Sequence, residues 1–539
     1  MRTARIMILA AWTLGGCSGQ ADVGENDSTS SALSASEQHG HDVWFKSTFG
    51  GEKFFSLILP AAPFNLTVGF DAVLASDRNT RFESFGVIND PDCVQGDAST
   101  GGLDKCADDA SMFTSPQGAS AGLVGVRKFA NPNYTPTNGQ PPILVGVTCA
   151  ACHAGLDAQH PAADPNHPSW AQISATTGNQ YIAIGKLFGA HLSSHDPRFQ
   201  VFHTWAPGTV DTTAIESDGI NNPGIITQFF NLNKRPYFNV TEAGAPLPAA
   251  HRAGQGGEDD AGCQAAALRV FFNIGMCAGE CMVPHLANGP GGTQTPIDQV
   301  QCAQVCPDFV QAQKDVVDMC AFMATTTPPS LAQAPGGASY ITSDRSVLAQ
   351  GQRVFQQNCA SCHGGAVDSD DQIHPASEIG TNSCRSKTTN WTSGHIWAEF
   401  SSDQYKARPT GGPGYYRDVP LIGVWATAPF LHTNRLGTFT GDSSVKGRVA
   451  VYEESMYELL NPLARDYLGS IQTTTDTVTL PGIPIALPKG TPVALFANLN
   501  PANPLDNLCP DIIENEGHNY GWLLPPSDKH ALTEWLKTQ

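Results

Sequence analysis

The pentapeptide Cys149-Ala150-Ala151-Cys152-His153 recurs in form as Cys359-Ala360-Ser361-Cys362-His363. Two thiols three positions apart, followed at once by an imidazole, suit covalent attachment of haem c. The thiols add to the two vinyl groups of one porphyrin and the histidine lies under the iron as proximal ligand. With 15 Cys and 16 His in 539 residues, random placement would give roughly 0.01 such matches, and this chain carries a pair. The competing readings are a thioredoxin-like thiol pair and half of a zinc site. A zinc site wants a second Cys/His pair close in sequence, which neither copy has. The spacing therefore predicts two covalently bound haem c groups. Cys149, Cys152, Cys359 and Cys362 are the attachment points, and His153 and His363 the axial ligands to iron.

The N-terminus reads as an export signal. Arg2 and Arg5 are basic, Ile6 to Leu14 are apolar, and Leu14-Gly15-Gly16-Cys17 supplies small residues up to a cysteine. That predicts a lipoprotein-type signal over 1–16, with Cys17 carrying the lipid; an ordinary secretory signal is the alternative. Nine apolar residues are too few to span a bilayer, so membrane contact is expected only through the lipid. Residues 17–40 are rich in Ser, Asp, Glu and Gly and predict a disordered tether. The expected location is periplasmic or outer-membrane-anchored, with the cell surface as a variant.

Charged residues make up only 15% of the chain, against 53 Gly and 39 Pro, well below the usual quarter. A mostly α, loop-rich globule with short β-hairpins follows. The formal net charge of −20 argues against nucleic acid or anionic membrane as partner. It leaves a basic redox partner protein or an uncharged substrate.

Setting aside Cys17 and the four motif thiols leaves ten cysteines, the even number expected in an oxidising compartment. Cys277 with Cys281 and Cys302 with Cys306 each stand at i and i+4, on one helical face. Two such helices folded back would be stapled as Cys277–Cys306 and Cys281–Cys302, with Cys263 and Cys320 closing the hairpin. Cys93 with Cys106 and Cys384 with Cys509 are then left. A four-cysteine metal site in the same hairpin is the alternative.

Pro328-Pro329 to Pro335-Gly336-Gly337 is the clearest punctuation. It divides a loop-rich N-terminal haem domain, 41–327 with the stapled hairpin at 263–320, from a C-terminal cytochrome c domain, 338–539, with a large insertion. Ser343-Asp344 predicts the cap of a helix running through Val347, Leu348, Gly351, Val354 and Phe355 into Cys359. Gly351 would let another helix cross closely. The partner is a C-terminal helix capped by Ser527, with Ala531, Leu532, Trp535 and Leu536 on one stripe. Pro141-Pro142 forbids a long helix before Cys149. Val478–Leu480 and Val493–Leu495 predict short strands.

Function turns on the sixth ligand of each iron. A second His or Met makes an electron-transfer centre, and a replaceable position makes a site for oxygen or peroxide. For the second haem the candidates are His518, His432 and Met456. His518 is preferred because Gly517 permits a close approach to the porphyrin and the C-terminal helix follows it. His432 better fits a residue bonded to a propionate. Met276, Met282, Met319 and Met323 read as core. Ile225-Ile226-Thr227-Gln228-Phe229-Phe230 reads as either a pocket lining or a buried strand.

Two such motifs about two hundred residues apart resemble the dihaem cytochrome c peroxidase superfamily, as does Val419-Pro-Leu-Ile-Gly-Val-Trp425-Ala-Thr-Ala-Pro429-Phe-Leu-His432. Trp44-Phe-Lys-Ser-Thr-Phe-Gly-Gly-Glu-Lys-Phe-Phe, Gly86-Val-Ile-Asn-Asp-Pro-Asp-Cys93 and Asn515-Glu-Gly-His518 resemble its rubber-oxygenase branch. The resemblance implies that the haem on His153 binds dioxygen and cleaves double bonds of an apolar polyisoprenoid, making His153 the catalytic ligand. It also implies that the haem on His363 and His518 transfers electrons. The chain departs from that branch in its lipoprotein-type signal, and no local motif marks the branch's distal aromatics. A hydrogen peroxide reductase and a non-enzymatic dihaem electron carrier stay open beside the oxygenase.

Overall fold

The structure is a computed structural model that describes residues 33–97, 102–211, 221, 223–230, 241–242, 261–286, 295–364, 373–385, 387, 415–417, 419–480, 485–500 and 503–539. The signal, Cys17 and the tether up to residue 32 lie outside these. The first helix, α1 (Ala35–Lys46), starts inside the expected tether. Ser34 and Glu37 form a reciprocal capping box there, satisfying two N-terminal donors at once.

α1 is followed by short helical turns and a three-stranded antiparallel sheet of β1 (Ala119–Ser120), β2 (Val126–Ala130) and β3 (Ile143–Val147). β3 runs directly into the first motif helix, α2 (Ala150–His153), so a strand and not a helix leads into Cys149. β4 (Thr209–Val210) pairs with β5 (Gly224–Ile225). Every sheet among the described residues has two or three strands. The architecture is thus mixed helix with small sheets and abundant loops, not closed into a barrel.

Next come α3 (Ala261–Asn273), α4 (Gln299–Val305) and α5 (Pro307–Met323). Disulfides Cys263–Cys320, Cys277–Cys306 and Cys281–Cys302 staple this region, as the spacing predicts, and Cys93–Cys106 and Cys384–Cys509 complete the set. The metal-site alternative is thereby overturned. The first pair does not share a regular helical face, however. Cys277 sits at φ 50° and opens a π-helical turn, Ala278–Met282. α5 packs lengthwise on α1, and a Cβ at Gly40 would stand 2.0 Å from the Asp318 carbonyl. His39 Nε2 meets Asp315 at 3.0 Å beside it.

α6 (Arg345–Asn358) is capped by Asp344, whose side chain accepts from Ser346 N. It ends at α7 (Ala360–His363), the second motif helix. α8 (Val445–Leu460) and α9 (Pro526–Leu536) complete this part. α9 begins two residues earlier than expected, with Pro526 at its start and Ser527 inside the first turn, because proline's fixed φ suits a first helical position. Val478–Thr479 forms a strand with Ala486–Leu487. Val493–Leu495 does not: Pro492 starts a helical turn there, and Val493 has φ −63°, ψ −38°.

The described residues form two large apolar clusters, beside a small one around the Cys384–Cys509 bridge. One gathers buried residues from Val43 to Met323, including Met276, Met282, Met319 and Met323. The other gathers Leu331 to Leu536, with Ala158 added from the earlier chain. Trp425, wholly buried, donates from Nε1 to the Pro329 carbonyl at 2.8 Å. Buried Arg448 donates to Ala426 O at 3.0 Å and Leu156 O at 2.9 Å. Its guanidinium lies 5.2 Å over the Tyr181 ring. No described helix is long and apolar enough to cross a membrane.

Candidate haem-binding sites

Beyond the ten disulfide-bonded residues, the cysteines among the described residues are Cys149, Cys152, Cys359 and Cys362. Burial pushes the Cys149 and Cys152 thiols up to about 12 and Cys359 to about 11. A reactive dithiol needs a lowered thiol pKa, so these pairs do not have the character of a thioredoxin-like centre. Four cysteines outside any disulfide, in two Cys-x-x-Cys-His motifs, fit thioether attachment.

The first motif is clamped from several sides. The turn between β1 and β2 places Gly125, φ +73°, against it, where a Cβ would stand 2.1 Å from Ala151 N. Only glycine fits that contact and that backbone. Gly178 N and Asn179 N donate to the His153 and Cys152 carbonyls at 3.0 and 2.8 Å. Asn179 Nδ2 continues to Gly86 O at 2.8 Å, joining the Gly86–Cys93 block to the site.

His153 Nδ1 lies 3.0 Å from the Thr227 carbonyl. A carbonyl can only accept, so Nδ1 carries the proton and Nε2 keeps its lone pair for a metal. Burial pushes the imidazole down to about 4, which keeps it neutral at physiological pH. Phe229 packs 4.7 Å and Trp44 5.9 Å from its ring, centroid to centroid. Trp44 is fixed by its Nε1 bond to Ala175 O at 2.9 Å. Of the 225–230 segment only Ile225 lies in a strand, the end of β5, while Phe229 packs beside His153.

At the second motif, α6 delivers Cys359 and His363 after crossing α9. A Cβ at Gly351 would stand 2.0 Å from the Ala531 carbonyl. His363 Nδ1 bonds to the Val419 carbonyl at 2.7 Å, which again puts the proton on Nδ1 and leaves Nε2 the unprotonated nitrogen. The His518 ring faces His363 with centroids 6.4 Å apart and planes at 44°. Metal–imidazole bonds of about 2.0–2.1 Å on either side of one iron put two ring centroids roughly 6 Å apart. The pair therefore fits a haem iron held between them. His518 Nδ1 is buried without a hydrogen-bond partner, and burial, reinforced by His363 and Arg465, pushes the ring down to about 4.

His432 and Met456 stand elsewhere. His432 stacks on Tyr416 at 5.3 Å and lines a polar pocket with Asn382, Asn498, Asp511 and Glu514. Burial, with Arg385 nearby, pushes it down to about 3. Met456 lies in the second core. Gly517 approaches the Leu431 side chain, 2.8 Å from a built Cβ. Sequence reasoning missed the Thr227 and Val419 carbonyls, since backbone acceptors leave no trace in residue identity.

Residues 346–397 match the family model described as cytochrome C oxidase, cbb3-type, subunit III. No curated protein gives a significant match to the chain, and no solved structure does. The matched span contains Cys359, Cys362 and His363. This part of the chain is a c-type cytochrome, and it implies haem c and a redox role.

Proposed function

We propose that the chain is an exported dihaem oxidoreductase. Cys149, Cys152 and His153 would hold one haem, and that group would supply the dioxygen chemistry for splitting the carbon–carbon double bond of an apolar alkene or polyisoprenoid. The haem on Cys359, Cys362, His363 and His518 exchanges electrons. The observation that carries this reading is the asymmetry of the two imidazoles: His363 faces a second histidine ring, whereas His153 packs against Phe229 and Trp44.

A haem with a replaceable position supplies dioxygen activation, and adding both oxygen atoms across C=C leaves two carbonyl ends. The chain's residues orient and insulate. Thr227's carbonyl holds the His153 Nδ1 proton and sets the ring's direction. Buried Trp44, Phe229 and Cys149 shield the His153 side from water. An uncharged substrate would be bound by buried apolar area, so its affinity should be nearly independent of salt.

The test is the purified dihaem protein with polyisoprene latex or short isoprenoids under labelled oxygen. Carbonyl products carrying the label support the proposal. No oxygen uptake with any such alkene, together with rapid peroxide turnover by a reduced cytochrome donor, moves the assignment to a peroxide reductase.

A further inference from the structure

We infer that Arg465 is the positioning residue for His518, holding the sixth ligand of the second haem against α8; this rests on the reading of His518 as that ligand. His363 is oriented through its own ring, because Nδ1 donates to Val419 O. His518 has no such help, since its Nδ1 is buried without a partner. It also sits outside any helix or strand, between Asp511 and the start of α9. Its ring packs on Tyr520 at 5.5 Å, and hydrogen bonds can fix its place only through the backbone.

Arg465 does this with one planar group. It is 6% exposed and follows the turn Pro462–Ala464 that ends α8. Nε donates to Glu458 O and Nη2 to Leu459 O, both at 3.0 Å. These are last-turn carbonyls that lack helical donors. Nη1 reaches Gly517 O at 3.3 Å and Nη2 reaches His518 O at 3.5 Å. The fork thus ties the C-terminal end of α8 to the two residues that present the imidazole. Lysine carries the charge but not five donors in a rigid plane. Further bonds hang the same strap, among them Asn515 Nδ2 to Asp466 O at 3.1 Å, Thr433 Oγ1 to Glu514 O at 2.6 Å, Glu514 N to Ser470 Oγ at 3.1 Å, and Thr381 Oγ1 to Glu516 O at 2.8 Å. None of them reaches residues 517 or 518.

The experiment compares Arg465→Gln, Arg465→Lys and His518→Ala with the parent, each as the full-length dihaem protein, by carbon monoxide uptake of the ferrous form. The readout is the number of haems binding and the rate. His518→Ala should bind one more carbon monoxide per chain than the parent. Both Arg465 variants should acquire that extra site at a rate about 10–100-fold above the parent, the usual effect of losing an outer-shell partner. Lysine should not rescue. Arg465→Lys keeps the charge and stem, and it covers the case in which the glutamine variant does not accumulate. A lowered unfolding midpoint with parent-like carbon monoxide uptake, or full rescue by lysine, overturns the positioning role. If His518→Ala itself gains no site, the ligand reading falls first.

Discussion

Replacing Gly351 by alanine should destabilise the second haem region, against the ordinary expectation for a helix. Gly→Ala inside an exposed helix gains about 1 kcal/mol from propensity. Here the new methyl would stand 2.0 Å from the Ala531 carbonyl and 2.6 Å from the Trp535 Cβ. Relief requires α6 and α9 to part by at least about 1 Å, and a gap of that size forfeits a quarter to a half of each dispersion contact along the seam. That seam includes Val354, Phe355, Leu532 and Leu536, all buried, and the Phe355–Trp535 ring pair at 4.6 Å. Overpacking costs typically 1–3 kcal/mol. The backbone clash argues for the upper end, so after the propensity gain about 1–2 kcal/mol of destabilisation remains. The assay is chemical denaturation followed by Soret absorbance of the second haem. Gln352→Gly, on the exposed face of the same helix, is the reference and should lose about 0.7–1 kcal/mol from propensity alone. A Gly351→Ala midpoint at or above the parent's, with the reference falling as expected, refutes the close crossing.

Cys152→Ala and Cys362→Ala should each remove one covalent haem and leave the other, read by intact mass. His518→Ala should turn the second haem high-spin, whereas His432→Ala should leave its spectrum unchanged. Burial raises the Glu514 carboxyl to about 7. The folded state thus holds a proton that the unfolded chain has released, and stability contributed below about pH 4.5 is lost as pH rises through 7. Glu514→Gln should therefore raise the thermal midpoint at pH 8 and not at pH 4. His432 is shifted the other way, to about 3, so its burial costs stability as pH falls from 6.5 toward 3. His432→Gln should flatten that acid limb of the stability profile, followed by thermal unfolding across pH.

What was legible in the sequence was local and periodic. The Asp344 cap, the Gly351 crossing and the five disulfides follow from helix spacing and from pairing an even set of thiols. The Ser34–Glu37 capping box was equally readable, but the polar composition up to residue 40 concealed it. Val493–Leu495 was misread because three apolar residues carry no period, and only Pro492 hinted at a helical start. Cys277 defeated the helical reading for a different reason: its φ of 50° is rare outside glycine. Of the surroundings of His153, the sequence offered only the apolar 225–230 segment, and nothing in it singled out which residues would meet the ring. Trp44 and Thr227 come from distant segments, and Thr227 acts through its backbone. Arg465 likewise carries no motif, since its role depends on where the end of α8 meets the strand-free segment before α9.

The Cys384–Cys509 bridge changes how the second site tolerates its own insertion. It joins the chain soon after His363 to the chain just before His518, so the 125-residue span between the bridged cysteines drops out of the shortest covalent path linking the two imidazoles. Loop-closure entropy is set by that short path. A cut in an exposed loop of the intervening segment should then leave the two histidines covalently linked, while Val419, α8 and Arg465, which lie within it, still have to keep their places. A protease cut there would yield two fragments that travel as one species until a reductant is added. The clasp therefore tolerates a broken loop between 384 and 509, but not the loss of α8 or Arg465, which lie within that span.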